Sequence, residues 1–184
     1  MKPSPRDRLL QAAASLTYQE GVGIGIDALC RAAGVSKRSM YQLFESKDAL
    51  LAASLELRAP TFVGRLVPAE DTGSPRERIL HVFEQLEAQA ASPSYRGCPF
   101  LAVQVELKDP NHPASRVAHR VKQRLTDYFQ AEAEHGGASD PELLARQLSL
   151  VFDGASARVG ISADSPAGLA SPVVRVLLDA AGVH

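Results

Sequence analysis

Residues 26–44, IDALCRAAGVSKRSMYQLF, decide the fold. Ile26, Leu29 and Ala33 recur at i, i+3 and i+7, the apolar stripe of a short helix. Gly34 then offers a left-handed stop, and Ser36 an N-cap hydroxyl for a second helix. On that helix Met40 and Phe44 share a face with Leu43 beside them, while Arg38, Ser39 and Gln42 point away. Two short helices joined by a glycine turn, the second polar and cationic outside, can lay one helix in the DNA major groove. Arg38 and Gln42 have the reach and the paired donors for guanine or adenine edges. Ser39 lies on the same face, and Lys37, Tyr41 and Lys47 beside it suit phosphate. A solvated helical hairpin would show the same spacing, so the flanks carry the decision.

Outward from this stretch, helix signals dominate and strand signals are nearly absent. Upstream, Leu9, Leu10, Ala13 and Leu16 give a helix over about 5–20, stopped by Gly21. Downstream, Ser46 caps a helix predicted to run to about Leu66, the connector to the rest of the chain. A linker is expected over 68–73. Ser74, Pro75, Arg76 and Glu77 then form a capping box with proline at the first helical position. Further helices are predicted to about Ser92, over 99–108, over 113–135 and over 141–161. A last one begins at Pro166, or restarts at Pro172, and ends near Ala181. The prediction is an all-α protein of about nine helices, with an N-terminal three-helix DNA-binding domain containing a helix-turn-helix and a helical bundle after it.

Charge and composition fit that picture. The net charge is −1 over 184 residues, but residues 1–58 hold eight Lys/Arg against six acids, an excess of two, leaving twelve against fifteen in the remainder. The cationic bias falls where DNA would sit. No apolar run reaches the ~20 residues a membrane span needs, and the start MKPSPR does not read as a signal peptide, so a cytoplasmic location is expected and no membrane partner. Cys30 and Cys98 are the only cysteines, too few for a disulfide framework.

The flanks also carry a family resemblance. RDRLLQAAASL, a glycine-rich turn and AGVSKRSMYQLFESKDALL together resemble the DNA-binding region of the TetR family of bacterial one-component repressors. The matching positions include Ala12, Ala13, Gly21, Ala33, Gly34, Val35, Ser36, Lys37, Tyr41, Phe44, Ser46, Lys47 and Leu50. The later RGCPFLAVQVELKDPNHPA is similar to a subset of the family. This resemblance implies a DNA-binding domain over 1–47 and an effector-binding and dimerisation domain over 48–184. It also implies a homodimer on a palindromic double-stranded operator, released by a small-molecule effector of unknown identity. The chain departs from the family at Gly25, where Ser or Thr is usual and can touch phosphate. It departs again at Arg38, Ser39, Gln42 and Leu43, so the base-reading surface is individual.

Other residues suggest further sites. Phe62, Phe83, Leu86, Phe100, Gln104, His119, Val121 and Phe152 are candidate lining residues of an effector pocket, as aromatic, apolar or isolated polar groups on inward helix faces. Leu148, Val151 and Ala155 on one late helix and Val176 and Leu177 on the next form stripes that serve either a dimer seam or the monomer core. Arg116, Arg120 and Arg124 repeat every four residues, either as a solvated face or with one cation turned to an anionic ligand. Cys98 precedes Pro99 at a helix start, near Arg96. That placement suits either a redox or electrophile sensor or a small buried thiol. Histidine and cysteine spacing fits no metal site, no cofactor is called for, and no third residue completes a cysteine–histidine nucleophile, so an enzyme is not expected. The alternative to a ligand-responsive repressor is a DNA-binding protein of the same fold without a small-molecule ligand, governed by a partner or by thiol chemistry at Cys98.

Overall fold

Ser4 accepts the Asp7 amide N–H while the Asp7 carboxylate accepts the Ser4 N–H, a reciprocal cap that opens the first helix, α1, Pro5–Glu20. The structure, a computed structural model, describes residues 3–68, 72–161 and 167–184, and among these every regular element is a helix. After α1 come α2 (Ile26–Ala33), α3 (Lys37–Leu43), α4 (Lys47–Leu66) and α5 (Pro75–Ala90). They are followed by α6 (Pro99–Leu107), α7 (Pro113–His135), α8 (Pro141–Gly160) and α9 (Ala170–Ala181). The all-helical expectation and the count of nine both hold for the described residues. The central part of the expected linker, 69–71, and the helix start at Pro166 lie outside them.

Residues up to Pro60 and residues 99–120 form one compact unit. Its core is Leu9, Leu10, Ala13, Ile24, Leu29, Cys30, Ala33, Met40, Phe44 and Leu50, the apolar faces of α1 to α4 closed on one another. Gly34 ends α2 at φ 60°, a conformation that costs any residue with a Cβ, and Ser36 Oγ accepts the Ser39 N–H at 3.1 Å to start α3. By compactness this unit runs on past residue 47 to Pro60 and takes in α6 and the first two turns of α7. Sequence periodicity describes single helices and carries no record of which distant ones pack together. Pro60 stands inside α4. It has no N–H to return to the Glu56 carbonyl, so the helix lacks one rung there.

Residues 61–98 and 121–184 make the second unit. Here α5, α8 and α9 pack together around Ile79, Val82, Phe83, Leu86, Leu144, Leu148, Phe152, Val174 and Leu178. Phe83 stacks on Phe129 at 5.6 Å between centroids and meets Phe152 edge-on at 6.3 Å, and Phe152 in turn meets Phe62 at 6.5 Å. The Ser74–Glu77 capping box is formed as expected. The nearly buried Arg78 gives Glu132 two hydrogen bonds, from Nε at 2.9 Å and from Nη2 at 2.7 Å. Helix α9 begins at Ala170, so Pro172 neither kinks nor restarts it. Proline sits in the first turn, where its missing N–H has no intrahelical partner to lose. No side chain of α9 caps that turn. Glu87 of α5 does so, Oε1 accepting the Ala170 and Ser171 N–H groups at 3.1 and 2.9 Å.

Candidate nucleic-acid interface

Met40 is fully buried against α1 and α2, which fixes the rotation of α3 about its axis and therefore what it shows outside. Arg38, Tyr41 and Gln42 are exposed on that outer side. Leu43 is exposed as well, a correction to its expected place beside Met40 and Phe44: three residues on from Met40 it lies about 60° round the helix, at the edge of the inward face rather than on it. Ser39 is half-buried and its hydroxyl shares a 2.8 Å hydrogen bond with Ser36, so it serves the cap of α3. Lys37 pairs with Asp27 of α2 at 3.0 Å. That hydrogen bond and charge hold the Lys37 ammonium above its ordinary pKa, so the cation persists, although an exposed pair of this kind adds little stability.

Lys47 is half-buried, and its ammonium donates to the Val22 carbonyl at 2.8 Å. In this state it holds the α1–α2 turn, a role that sequence position alone did not suggest. The other side of Val22 is held too, its N–H donating to Glu106 Oε2 at 2.7 Å. Two further cations stand beside α3. Arg6 lies 5.3 Å from the Phe44 ring centroid and Arg8 Nη2 reaches the Gly34 carbonyl at 3.4 Å. Together with Ser36, Ser39, Gln42 and Leu43 they line a cleft of about 640 Å³. Arg6 and Arg8 were legible only within the N-terminal cationic excess and the RDRLLQAAASL resemblance, with no DNA role assigned to either.

The helix-turn-helix, its buried anchor and its cationic outer face define a DNA-binding protein. Residues 9–54 match the family model for bacterial regulatory proteins of the TetR family. A solved TetR-type transcriptional regulator from Streptomyces avermitilis is 66% identical over 99% of this chain and 100% of its own, with a TM-score of 0.96. Among curated relatives, the HTH-type transcriptional regulator YjdC of Escherichia coli is 25% identical over 95 residues, 52% of this chain and 50% of that protein. The HTH-type transcriptional repressor NemR of the same species is 32% identical over 108 residues, 56% of this chain and 54% of NemR. These matches span about half the length of the curated relatives. The chain belongs to the TetR family and is a helix-turn-helix transcriptional regulator rather than an enzyme.

The remaining expected site residues fall into separate places. Phe62, Phe83, Leu86, Val121 and Phe152 are in the second unit, and Phe83, Leu86 and Phe152 are fully buried in its core. Phe100, Gln104 and His119 are in the first unit, where Gln104 and His119 line a cavity of about 630 Å³ while Phe100 is fully buried. Of the stripe that serves either a dimer seam or the monomer core, Leu148 and Ala155 are buried within the second unit, where α8 packs against α9 and α5. Val151 and Leu177 are half-buried and Val176 is 66% exposed. Cys98 is buried at 2% exposure, and burial pushes the Cys30 thiol up. Among the described residues no group of three or more His, Cys, Asp or Glu side chains could hold a metal, and no helix is long and apolar enough to cross a membrane.

Proposed function

We propose that this regulator is a repressor that binds a palindromic operator as a homodimer and leaves it when a small-molecule effector binds. The observation that carries the reading is the outer face of α3, where Arg38 and Gln42 stand exposed together on a helix locked by Met40. A recognition helix of seven residues spans only a few base pairs, so useful specificity calls for a second copy on the dyad-related half-site. Apolar side chains support the pairing: Leu150 on α8 and Ile161 at its C-cap are 73% and 76% exposed, and Leu169, Val173 and Val176 are exposed on and just before α9. Side chains of that size do not normally stand bare in rows on a monomer. Val151 and Leu177 belong to this proposed seam, and Leu148 and Ala155 lie beneath it. Repression agrees with the likeness to NemR, and action in the cytoplasm with a DNA target.

Selection of binding sites from random duplexes, followed by footprinting, tests the reading. A two-fold symmetric site is expected, and Arg38→Ala should lose ~1–3 kcal/mol on it and relax its sequence preference. Unchanged affinity in Arg38→Ala would remove α3 from base reading. A thermal-shift screen of small molecules against the full chain separates a ligand-responsive regulator from one that answers to a partner, since binding to the native state raises the melting temperature.

A further inference from the structure

Arg8 Nε, Thr17 Oγ1 and Ser115 Oγ are buried polar atoms of the first unit with no hydrogen-bond partner among the described residues. Of these residues, Ser115 is 4% exposed. A buried hydroxyl left unsatisfied costs on the order of 1–3 kcal/mol, so native structures rarely keep one without a use. Ser115 lines the cavity of about 630 Å³ formed by the end of α6, the α6–α7 turn and the first two turns of α7. That size lies in the usual range for small-molecule sites. Around it stand Lys108, Arg116, His119 and Arg120, with Asp109 as the one acid, whose Oδ1 already accepts the Asn111 N–H at 2.9 Å. The aliphatic stems of the three cations and the Pro110 ring supply apolar wall. The N-terminal end of α7, a helix of 23 residues, adds positive potential at the same place.

We propose that this cavity binds an amphipathic organic anion, a carboxylate on an apolar body, and that this anion is the effector. The proposal rests on the ligand-responsive reading above. Ser115 Oγ would donate to the carboxylate, Arg116 and Lys108 would supply charge, and Gln104 would hold a polar substituent. A path to the DNA-binding helices lies within the same unit. Arg120 pairs with Glu56 of α4, so a bound carboxylate competes with Glu56 for that guanidinium. Gln104 is two residues from Glu106, which holds the Val22 N–H of the α1–α2 turn. An anion that draws on Arg120 and shifts α6 therefore alters both supports of the helix-turn-helix, which is the differential contact a ligand needs to move the equilibrium.

The test uses the full chain and 8-anilinonaphthalene-1-sulfonate, a fluorescent amphipathic anion, with octanoate and octan-1-ol as competitors. Saturable binding is expected that octanoate displaces and octan-1-ol at equal concentration does not. Arg116→Ala, at an exposed position that folding does not need, should weaken binding about tenfold, and Ser115→Ala should weaken it severalfold without lowering the melting temperature. Arg124→Ala, one turn beyond the cavity, should bind as the parent does. Equal affinity in the parent, Arg116→Ala and Ser115→Ala, or equal displacement by the alcohol, overturns the site. Operator binding then separates the two claims. If octanoate binds in this cavity and leaves operator affinity unchanged, the site stands and the effector role fails. If octanoate weakens operator binding equally in the parent and in Arg116→Ala, the effector role stands and this site fails.

Discussion

Glu106 is the cheapest place to ask whether α6 governs the DNA-binding helices. Its Oε2 accepts the Val22 N–H at 2.7 Å while Lys47 donates to the Val22 carbonyl at 2.8 Å, so one peptide unit of the α1–α2 turn is held from both sides. A carboxylate hydrogen bond to a backbone amide contributes ~1.5–3 kcal/mol when sheltered. Glu106 is exposed, and solvent screening reduces that to about 1 kcal/mol. Glu106→Ala should therefore raise the local opening of Val22 about fivefold, read as faster amide hydrogen exchange at that residue under conditions where exchange tracks the opening equilibrium. Glu106→Gln keeps a carbonyl oxygen and should lie between the two. Operator affinity should fall by a smaller factor, because α2 and α3 keep their own core. Gly21→Ala should act in the same direction: at φ 90° a Cβ is strained, and it would come 2.6 Å from Glu106 Oε2. Unchanged exchange at Val22 in Glu106→Ala would refute the clamp.

Three further outcomes are expected. Arg78→Met leaves Glu132, itself 8% exposed, as a buried carboxylate without its guanidinium, at a cost of ~3–5 kcal/mol and roughly 10 °C in melting temperature. Arg78→Met with Glu132→Leu should recover most of the loss, and a double variant no better than the single would show that the pair is not the cause. Val176→Glu, at an exposed position in the proposed seam, should turn a dimer into a folded monomer in sedimentation at micromolar concentration, while a parent protein that is already monomeric ends the dimer reading. Burial, with Glu132 nearby, pushes the Tyr128 hydroxyl up to about 12 from 10. A raised folded-state value means that its contribution is present in full below pH 10 and is lost as pH rises from 10 to 12, so Tyr128→Phe should flatten the alkaline part of the stability profile.

The helix-turn-helix was legible because its signals are local. Gly34, Ser36 and the stripe of Ile26, Leu29 and Ala33 each constrain neighbours within a turn or two, and the TetR resemblance falls on the same positions. Helix ends marked by Ser74, Pro99, Pro113 and Pro141 were read for the same reason. What escaped was long-range. Nothing near Lys47 announces Val22, 25 residues away, and nothing near Glu106 announces a contact 84 residues back. The stripe of Leu148 and Ala155 could be read as apolar but not as inward, since periodicity gives a face and not its destination. Ser115 was invisible for a related reason: a serine in a helix is ordinary until its surroundings are seen to offer it nothing.

The cap that Glu87 places on α9 has a consequence for the order in which the molecule is made. The first turn of α9 is completed by a side chain 83 and 84 residues earlier in the chain. Ordering of that turn must therefore wait until α5 is in place, which makes it a non-local event with a high loop-closure cost. A nascent or partly unfolded chain would carry Val173 and Val176 on a frayed segment, unable to offer a shaped surface to another copy. If the proposed dimer forms through α9, its assembly would thus be reserved for chains whose second unit has already closed.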